Sequence, residues 1–259
     1  MGGASGKDKV FLFLQGPHGP FFAQLAKVLE KAGAKTIKVG FNQGDCAFWR
    51  DKSTYLPFLG KMDDWASHVQ QIFDQYGVTD IVLYGDTRPV HAQAVRLAKG
   101  RNIKVHCFEE GYLRPYWATY ERGGVNGFSR LLYLSVDQMR AELQDRDLDL
   151  PDAPARWGDM RQHSFYGALY HWHILFRNQK YMNYVTHRDV SVLEEFRLHF
   201  RRLIALPLHA LQRRTASLRI RRDGCVYHLA LLQLGHDASI QTHSPIKSMP
   251  EFIRMVISA

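Results

Sequence analysis

Between residues 9 and 134 short β-branched runs alternate with segments of helical period, and few folds accept that order. Residues 10–14, 35–41, 80–84 and 104–108 read as strands. Residues 21–32, 65–76 and 91–99 read as helices. In the first of these, Phe22, Leu25, Ala26 and Leu29 keep helical spacing until Gly33 stops it. The alternation predicts a parallel, doubly wound α/β sheet of Rossmann-like type, in which ligands bind at the carboxyl ends of the strands.

Two of those strand ends are dense in chemistry: Tyr84-Gly85-Asp86-Thr87-Arg88-Pro89-Val90-His91 and Phe108-Glu109-Glu110-Gly111-Tyr112-Leu113-Arg114-Pro115. Their three carboxylates and two arginines are expected to face one crevice. Asp86, Arg88 and His91 fit either an N-cap with a salt bridge or a binding trio. The flanking Gly85 and Pro89, which shape the backbone to present side chains, favour the second. Glu109 and Glu110 are adjacent, so in extended chain only one faces the crevice. Their mutual repulsion is expected to raise one pKa toward the range of a general base. The enclosing aromatics Phe108, Tyr112 and Trp117 argue against a plain solvated pair.

The first strand end, Gln15-Gly16-Pro17-His18-Gly19-Pro20, has neither dinucleotide-binding nor P-loop spacing. Its two prolines remove two N–H donors, so a tight structural turn is the first reading and anion binding at a helix N-terminus the second.

The remaining chain changes character. Residues 151–224 form a helical segment, first aromatic (Phe165, Tyr166, Tyr170, Trp172, Phe176, Tyr181, Tyr184), then basic. Between Arg197 and Arg222 stand eight arginines and no acidic residue, with a break expected at Pro207. Residues 226–233 read as a strand and 250–258 as a helix. Since one strand and one helix cannot bury their own apolar faces, residues 225–259 are expected to begin a second, truncated α/β domain. The competing reading adds that strand to the first sheet.

With Lys plus Arg at 34 against 25 Asp plus Glu, the formal net charge of +9 points to an anionic partner or surface. Arginines interleaved with Leu, Ile and Phe suit a solvated face or an anionic membrane surface, and no nucleic-acid reader motif is present. Cys46, Cys107 and Cys225 have no C-x-x-C spacing and the thirteen His no metal-binding pairing, so reduced thiols and no metal site are expected. No apolar run is long enough to span a bilayer, which leaves only peripheral membrane contact.

The runs Phe13-Leu14-Gln15-Gly16-Pro17-His18-Gly19-Pro20-Phe21-Phe22, Gly40-Phe41-Asn42-Gln43-Gly44-Asp45, Tyr84 to Pro89, Phe108 to Pro115, Gly124-Val125-Asn126-Gly127 and His243-Ser244-Pro245 occur in order over nearly the whole chain. Together they resemble the capsular polysaccharide biosynthesis and export family of the KpsS/LipB type. That resemblance implies a GT-B-like architecture, with an acceptor-side domain at 1–150, the helical segment, and the start of a nucleotide-sugar domain at 225–259. It also implies an inverting β-Kdo transferase of Gram-negative bacteria that takes Kdo from CMP-Kdo, with no cofactor, to a phosphatidylglycerol-type lipid. The enzyme would sit peripherally on the cytoplasmic face of the inner membrane, beside other capsule assembly and export proteins. The Glu109-Glu110-Gly111 triplet is similar to the acidic-acidic-glycine motif of bacterial sialyltransferases, which implies Glu109 as base, with Glu110 or Asp86 as alternates. Gln15, Gly16, Gly19, Asn42, Asp45, Arg88, His91, Arg114 and Asn126 are the implied substrate-binding residues, the two arginines as a clamp for the sugar carboxylate. The resemblance also implies a His-Pro motif in the second domain for the nucleotide phosphate, which is expected to lie beyond these residues; His243-Ser244-Pro245 is a different motif. A different class of function, a non-enzymatic capsule-assembly component binding membrane or partners through its basic face, is the alternative.

Overall fold

A computed structural model describes residues 8–111, 117–146, 160–185, 191–224, 229–230, 232, 238–246 and 248–258. The order of elements is β1 (Val10–Phe13), α1 (Phe21–Lys31), β2 (Lys35–Gly40), α2 (Gln43–Ala47), β3 (Tyr55–Pro57), α3 (Trp65–Tyr76), β4 (Asp80–Tyr84), α4 (Pro89–Lys99), β5 (Lys104–Glu110), β6 (Ala118–Arg122), α5 (Val136–Leu143), α6 (Met160–Arg177), α7 (Val192–Asp223), α8 (Ala238–His243) and α9 (Met249–Ser258). The strands form one sheet in the order β3-β2-β1-β4-β5-β6, parallel except for β6, which runs antiparallel to β5. The fold is α/β and Rossmann-like.

Period-two alternation explains why both faces are covered. Leu12 and Leu14 of the first strand end, with Ile81 and Leu83 of β4, face one side and pack with Trp65, Val69 and Ile72 of α3 and Ala94 and Ala98 of α4. Phe13 and Val82, the residues between, face the other side and pack with Phe22 and Ala26 of α1 and with Trp49. A strand buried on both faces reads as a continuous apolar run, as β1 and β4 do. Cys107 lies fully buried in β5, where burial pushes its thiol up to about 12 and keeps it an inert core residue.

Five elements, β3, β6, α2, α5 and α8, depart from the expected order. The edge strand β3 is three residues long and ends in Pro57, which a central strand would exclude. Half-exposed β6 alternates without an apolar face, and α2 is one short turn. β6 has a consequence for the site: by pairing Glu109 with Thr119 and Glu110 with Ala118, it extends β5 two residues beyond the expected end. Helix α4 begins two residues early because Pro89 occupies its first position, where a missing N–H costs nothing.

The chain divides into two compact units, residues 1–185 and 186–259. The segment read as one helical stretch, 151–224, is therefore shared: α6 packs on α2 in the first unit, and α7 belongs to the second. The break expected at Pro207 does not occur, since α7 runs through it from Val192 to Asp223. Proline there removes one backbone hydrogen bond, a loss of about 3 kcal/mol that thirty-two residues of helix absorb without ending. Of the strand expected at 226–233, residues 226–228, 231 and 233 lie outside the described residues, and Leu229, Ala230 and Leu232 are in no strand. The second unit's described residues form α7, α8 and α9, and α9 coincides with the helix expected there.

Trp65 is fully buried and its indole donates to the Val90 carbonyl at 2.8 Å, joining α3 to α4. Trp65→Ala is expected to lower unfolding stability by about 3–5 kcal/mol, measured by urea denaturation.

Candidate functional site

The strand order reverses between β1 and β4, and in open sheets of this kind the crevice lies outside the carboxyl ends at that point. Gln15 leaves β1 on one side of the reversal and Arg88 leaves β4 on the other. Arg88 Nη1 donates to Gln15 Oε1 at 3.0 Å, so one hydrogen bond bridges the reversal.

On the β4/β5 side, Gly85 adopts φ +70° and donates its N–H to the Phe108 carbonyl at 2.8 Å. A side-chain residue would be strained in that turn, and a Cβ there would lie 3.2 Å from Glu109 Oε2. The turn delivers Asp86 into the interior, 3% exposed. Its Oδ2 accepts from the Val125 N–H at 2.8 Å, whereas its Oδ1 is buried with no hydrogen-bond partner among the described residues. Buried carboxyl oxygens are rarely left so. The Gly124-Val125-Asn126 loop that supplies this N–H turns back through Asn126 at φ +53°, a left-handed conformation asparagine tolerates.

Glu109 is half-buried and Glu110 exposed, which places only the first toward the turn. Glu109 Oε1 accepts the Glu110 N–H at 3.1 Å. Its carboxyl is held above the usual glutamate range, chiefly by burial; the charges of Glu110 and Asp86 add to the rise, and the Glu110 N–H and Arg88 oppose it. The expected elevation is present, then, but its cause differs: desolvation outweighs repulsion between the two glutamates. Beyond it, Gly111 donates to the Trp117 carbonyl at 2.9 Å, an approach so close that a Cβ would collide with that carbonyl. Tyr112 and Arg114 lie outside the described residues, so the second arm of the expected arginine clamp is not placed.

The β1/β2 side is a second, buried polar cluster. Asn42 caps α2, its Oδ1 accepting the Asp45 N–H at 2.9 Å, while Asp45 Oδ2 accepts the Phe41 N–H at 2.9 Å. Tyr170 of α6 inserts its hydroxyl between them, receiving Asn42 Nδ2 at 2.7 Å and Gln15 Nε2 at 3.1 Å and donating to Asp45 Oδ1 at 3.2 Å. Burial holds the Tyr170 phenol well above its usual pKa, which keeps it a donor. Of the residues expected to touch substrate, Asn42 and Asp45 thus use their polar atoms on the protein itself. So does His91, fully buried with Nδ1 2.6 Å from the Gly85 carbonyl, where it supports the turn that presents Asp86. Gly16 and Gly19 line a small cavity with Lys38, Asp45 and Tyr170.

Lys38 and Tyr170 escaped the sequence reading. Lys38 is 4% exposed, donates Nζ to the Leu14 carbonyl at 2.9 Å, and lies 5.7 Å from the Phe22 ring and 5.9 Å from the Trp49 ring. Burial lowers its pKa, Arg88 lowers it further and Asp45 opposes them. The signal for it is a lysine interrupting the apolar strand between Ile37 and Val39. Tyr170 stood in the aromatic segment without any local sign of its partners 125 to 155 residues away. Among the described residues no group of three or more His, Cys, Asp or Glu is gathered as for a metal ion.

A family model for capsule polysaccharide biosynthesis proteins matches residues 79–259, from the start of β4 through both acidic strand ends. The chain belongs to that family. It is 32% identical over 262 residues to the capsule polysaccharide export protein KpsS of Escherichia coli, an alignment covering 96% of this chain and 63% of KpsS. It is 29% identical over 258 residues to the capsule polysaccharide modification protein LipB of Neisseria meningitidis serogroup A, covering 96% of this chain and 60% of LipB. The chain thus spans less than two thirds of the length of these curated relatives. The resemblance drawn from the six motifs is confirmed at the level of the family.

Because the Glu109 pKa is higher in the folded chain than in the unfolded one, the folded state holds the proton longer as pH rises. Stability should therefore fall with pH from near the free glutamate value of about 4.3 upward through the raised folded value. Glu109→Gln is expected to remove that fall and to melt at or above the parent's temperature at neutral pH, checked by thermal melts across pH.

Proposed function

We propose that this capsule polysaccharide biosynthesis protein is an inverting glycosyltransferase, moving Kdo from CMP-Kdo to a phosphatidylglycerol-type lipid on the cytoplasmic face of the inner membrane. The observation that carries the reading is Glu109: a carboxyl raised mainly by burial, at the carboxyl end of β5, beside buried Asp86 and across the turn from Arg88. A base for a sugar hydroxyl must be ionised near neutral pH yet still attract a proton, and a raised carboxyl meets both needs.

In the proposed reaction the acceptor hydroxyl gives its proton to Glu109. The oxygen attacks the anomeric carbon of Kdo from the side opposite CMP. That bond forms as the bond to the CMP phosphate oxygen breaks, and CMP leaves as the anion. Arg88, held in place by Gln15, pairs with the sugar carboxylate, and Arg114 is proposed as its second arm. Asp86, fixed by the Val125 N–H, keeps its buried oxygen available to the acceptor or to the Glu109 proton. Glu110 serves the strand end rather than the reaction. CMP-Kdo is a substrate, and no cofactor or metal enters the proposal.

The second reading, a non-enzymatic assembly component, is favoured by one thing, the word "export" in the name of the Escherichia coli relative. Radiolabelled sugar transfer from CMP-Kdo to a phosphatidylglycerol acceptor separates the two. Glu109→Ala with Asp86→Ala is expected to cut transfer by at least about 10²–10⁴-fold while capsule-component binding persists. Full activity in that double variant would sink the site assignment.

Transfer rate is also expected to rise with pH through the raised Glu109 pKa, the base working only once ionised. Glu109→Asp, which keeps a carboxylate but shortens its reach, should retain an acid limb at reduced rate, measured as initial rates across pH.

A further inference from the structure

Helix α6 is apolar on two sides. Its inner side carries Tyr170 and Ile174, 5% and 8% exposed, into the first unit. On the outer side Phe165, Trp172, Leu175 and Phe176 follow helical spacing and stand 61%, 42%, 40% and 63% exposed. An exposed apolar stripe on a helix already packed on its other side marks a contact surface, so the outer stripe calls for a covering layer.

We propose that this stripe is the protein's seat on a phospholipid bilayer with anionic headgroups. The chemistry of the stripe's surroundings selects that occupant. The Arg177 guanidinium lies 4.9 Å from the Trp172 ring, and Lys180 is exposed just beyond the helix end. From residue 160 to residue 188 the chain has no acidic residue. Apolar and aromatic side chains on a helix with cations at its end and no acidic residue along it suit the boundary between acyl chains and phosphates, where tryptophan concentrates. Among the described residues no helix is long and apolar enough to cross a membrane, so α6 would lie in the interface plane, with its stripe about 5–10 Å deep.

The arginine-rich α7, the first candidate from sequence, is less suited. At 100° per residue Arg219 and Arg222 share a side with Leu208, Leu211 and Leu218, and Ile220 stands opposite, so α7 has no separate apolar face. The stripe would seat the chain on the bilayer whichever sugar is transferred.

Vesicle flotation of the 259-residue chain tests it, using phosphatidylcholine alone and phosphatidylcholine mixed with equal phosphatidylglycerol. The parent is expected to float with the mixed vesicles, and Phe176→Asp to weaken binding at least about tenfold with an unchanged melting temperature. Lipids brominated in their acyl chains should quench tryptophan fluorescence of the parent, and Trp172→Phe should remove most of that quenching. Absence of parent binding overturns the proposal, as does binding or quenching unaffected by these changes. A concentration-dependent dimer that Phe176→Asp dissociates, without vesicle binding, would instead assign the stripe to a second copy of the chain.

Discussion

The site rests on β4 lying beside β1. The Leu14 N–H donates to the Val82 carbonyl at 2.8 Å, carrying the ladder one residue past β1. Gln15 and Arg88 then emerge from neighbouring strands close enough to bond. Because chain direction away from the sheet reverses at this point, the two following loops splay apart, and the bond between Gln15 and Arg88 closes the floor of the gap they leave. Everything with chemistry hangs from it. To one side stand Asp86 and Glu109, held by Gly85 and β6; to the other, Lys38, Asn42, Asp45 and Tyr170. Gln15 joins the two because its amide is used at both ends, accepting from Arg88 and donating to Tyr170 and Asp45.

That arrangement departs from what stability alone would choose. Burial holds Glu109 above and Lys38 below their free pKa values, and each shift records a cost to the charged form. Among the described residues the buried Asp86 Oδ1 has no hydrogen-bond partner, and such a bond left unmade costs about 1–3 kcal/mol. Such features gather where a fold is shaped for a ligand, and here three fall within one set of adjoining strand ends. The apolar layers on both sheet faces, with Trp65 and Phe13 fully buried, supply the stability that lets these departures persist.

What the sequence disclosed follows from the range over which each signal acts. α3 and β4 were read to the residue because their apolar periods are local and uninterrupted. The acidic strand ends were found because Gly85, Pro89 and Gly111 mark backbone that must turn. β3 carries little signal because it is three residues long, and β6 because it lacks an apolar face, yet β6 is what carries Glu109 into the ladder. Asn42 and Asp45 looked available because their partner Tyr170 lies 128 and 125 residues away, beyond any local pattern. Proline at 207 predicts a break from its local cost, and α7 carries that cost without ending.

Tyr170 and Trp172 stand two residues apart on α6, and a helix sets such neighbours on different sides. One hydroxyl is buried among Gln15, Asn42 and Asp45; the other ring is exposed beside Arg177. A lipid surface that orders the outer stripe must therefore also restrain the inner tyrosine, since both are carried on one rigid rod. Restraint on Tyr170 passes to Gln15 and from there to Arg88, all through direct hydrogen bonds. Under the proposed lipid-acceptor reading, that connection would leave Arg88 best ordered when the acceptor is within reach.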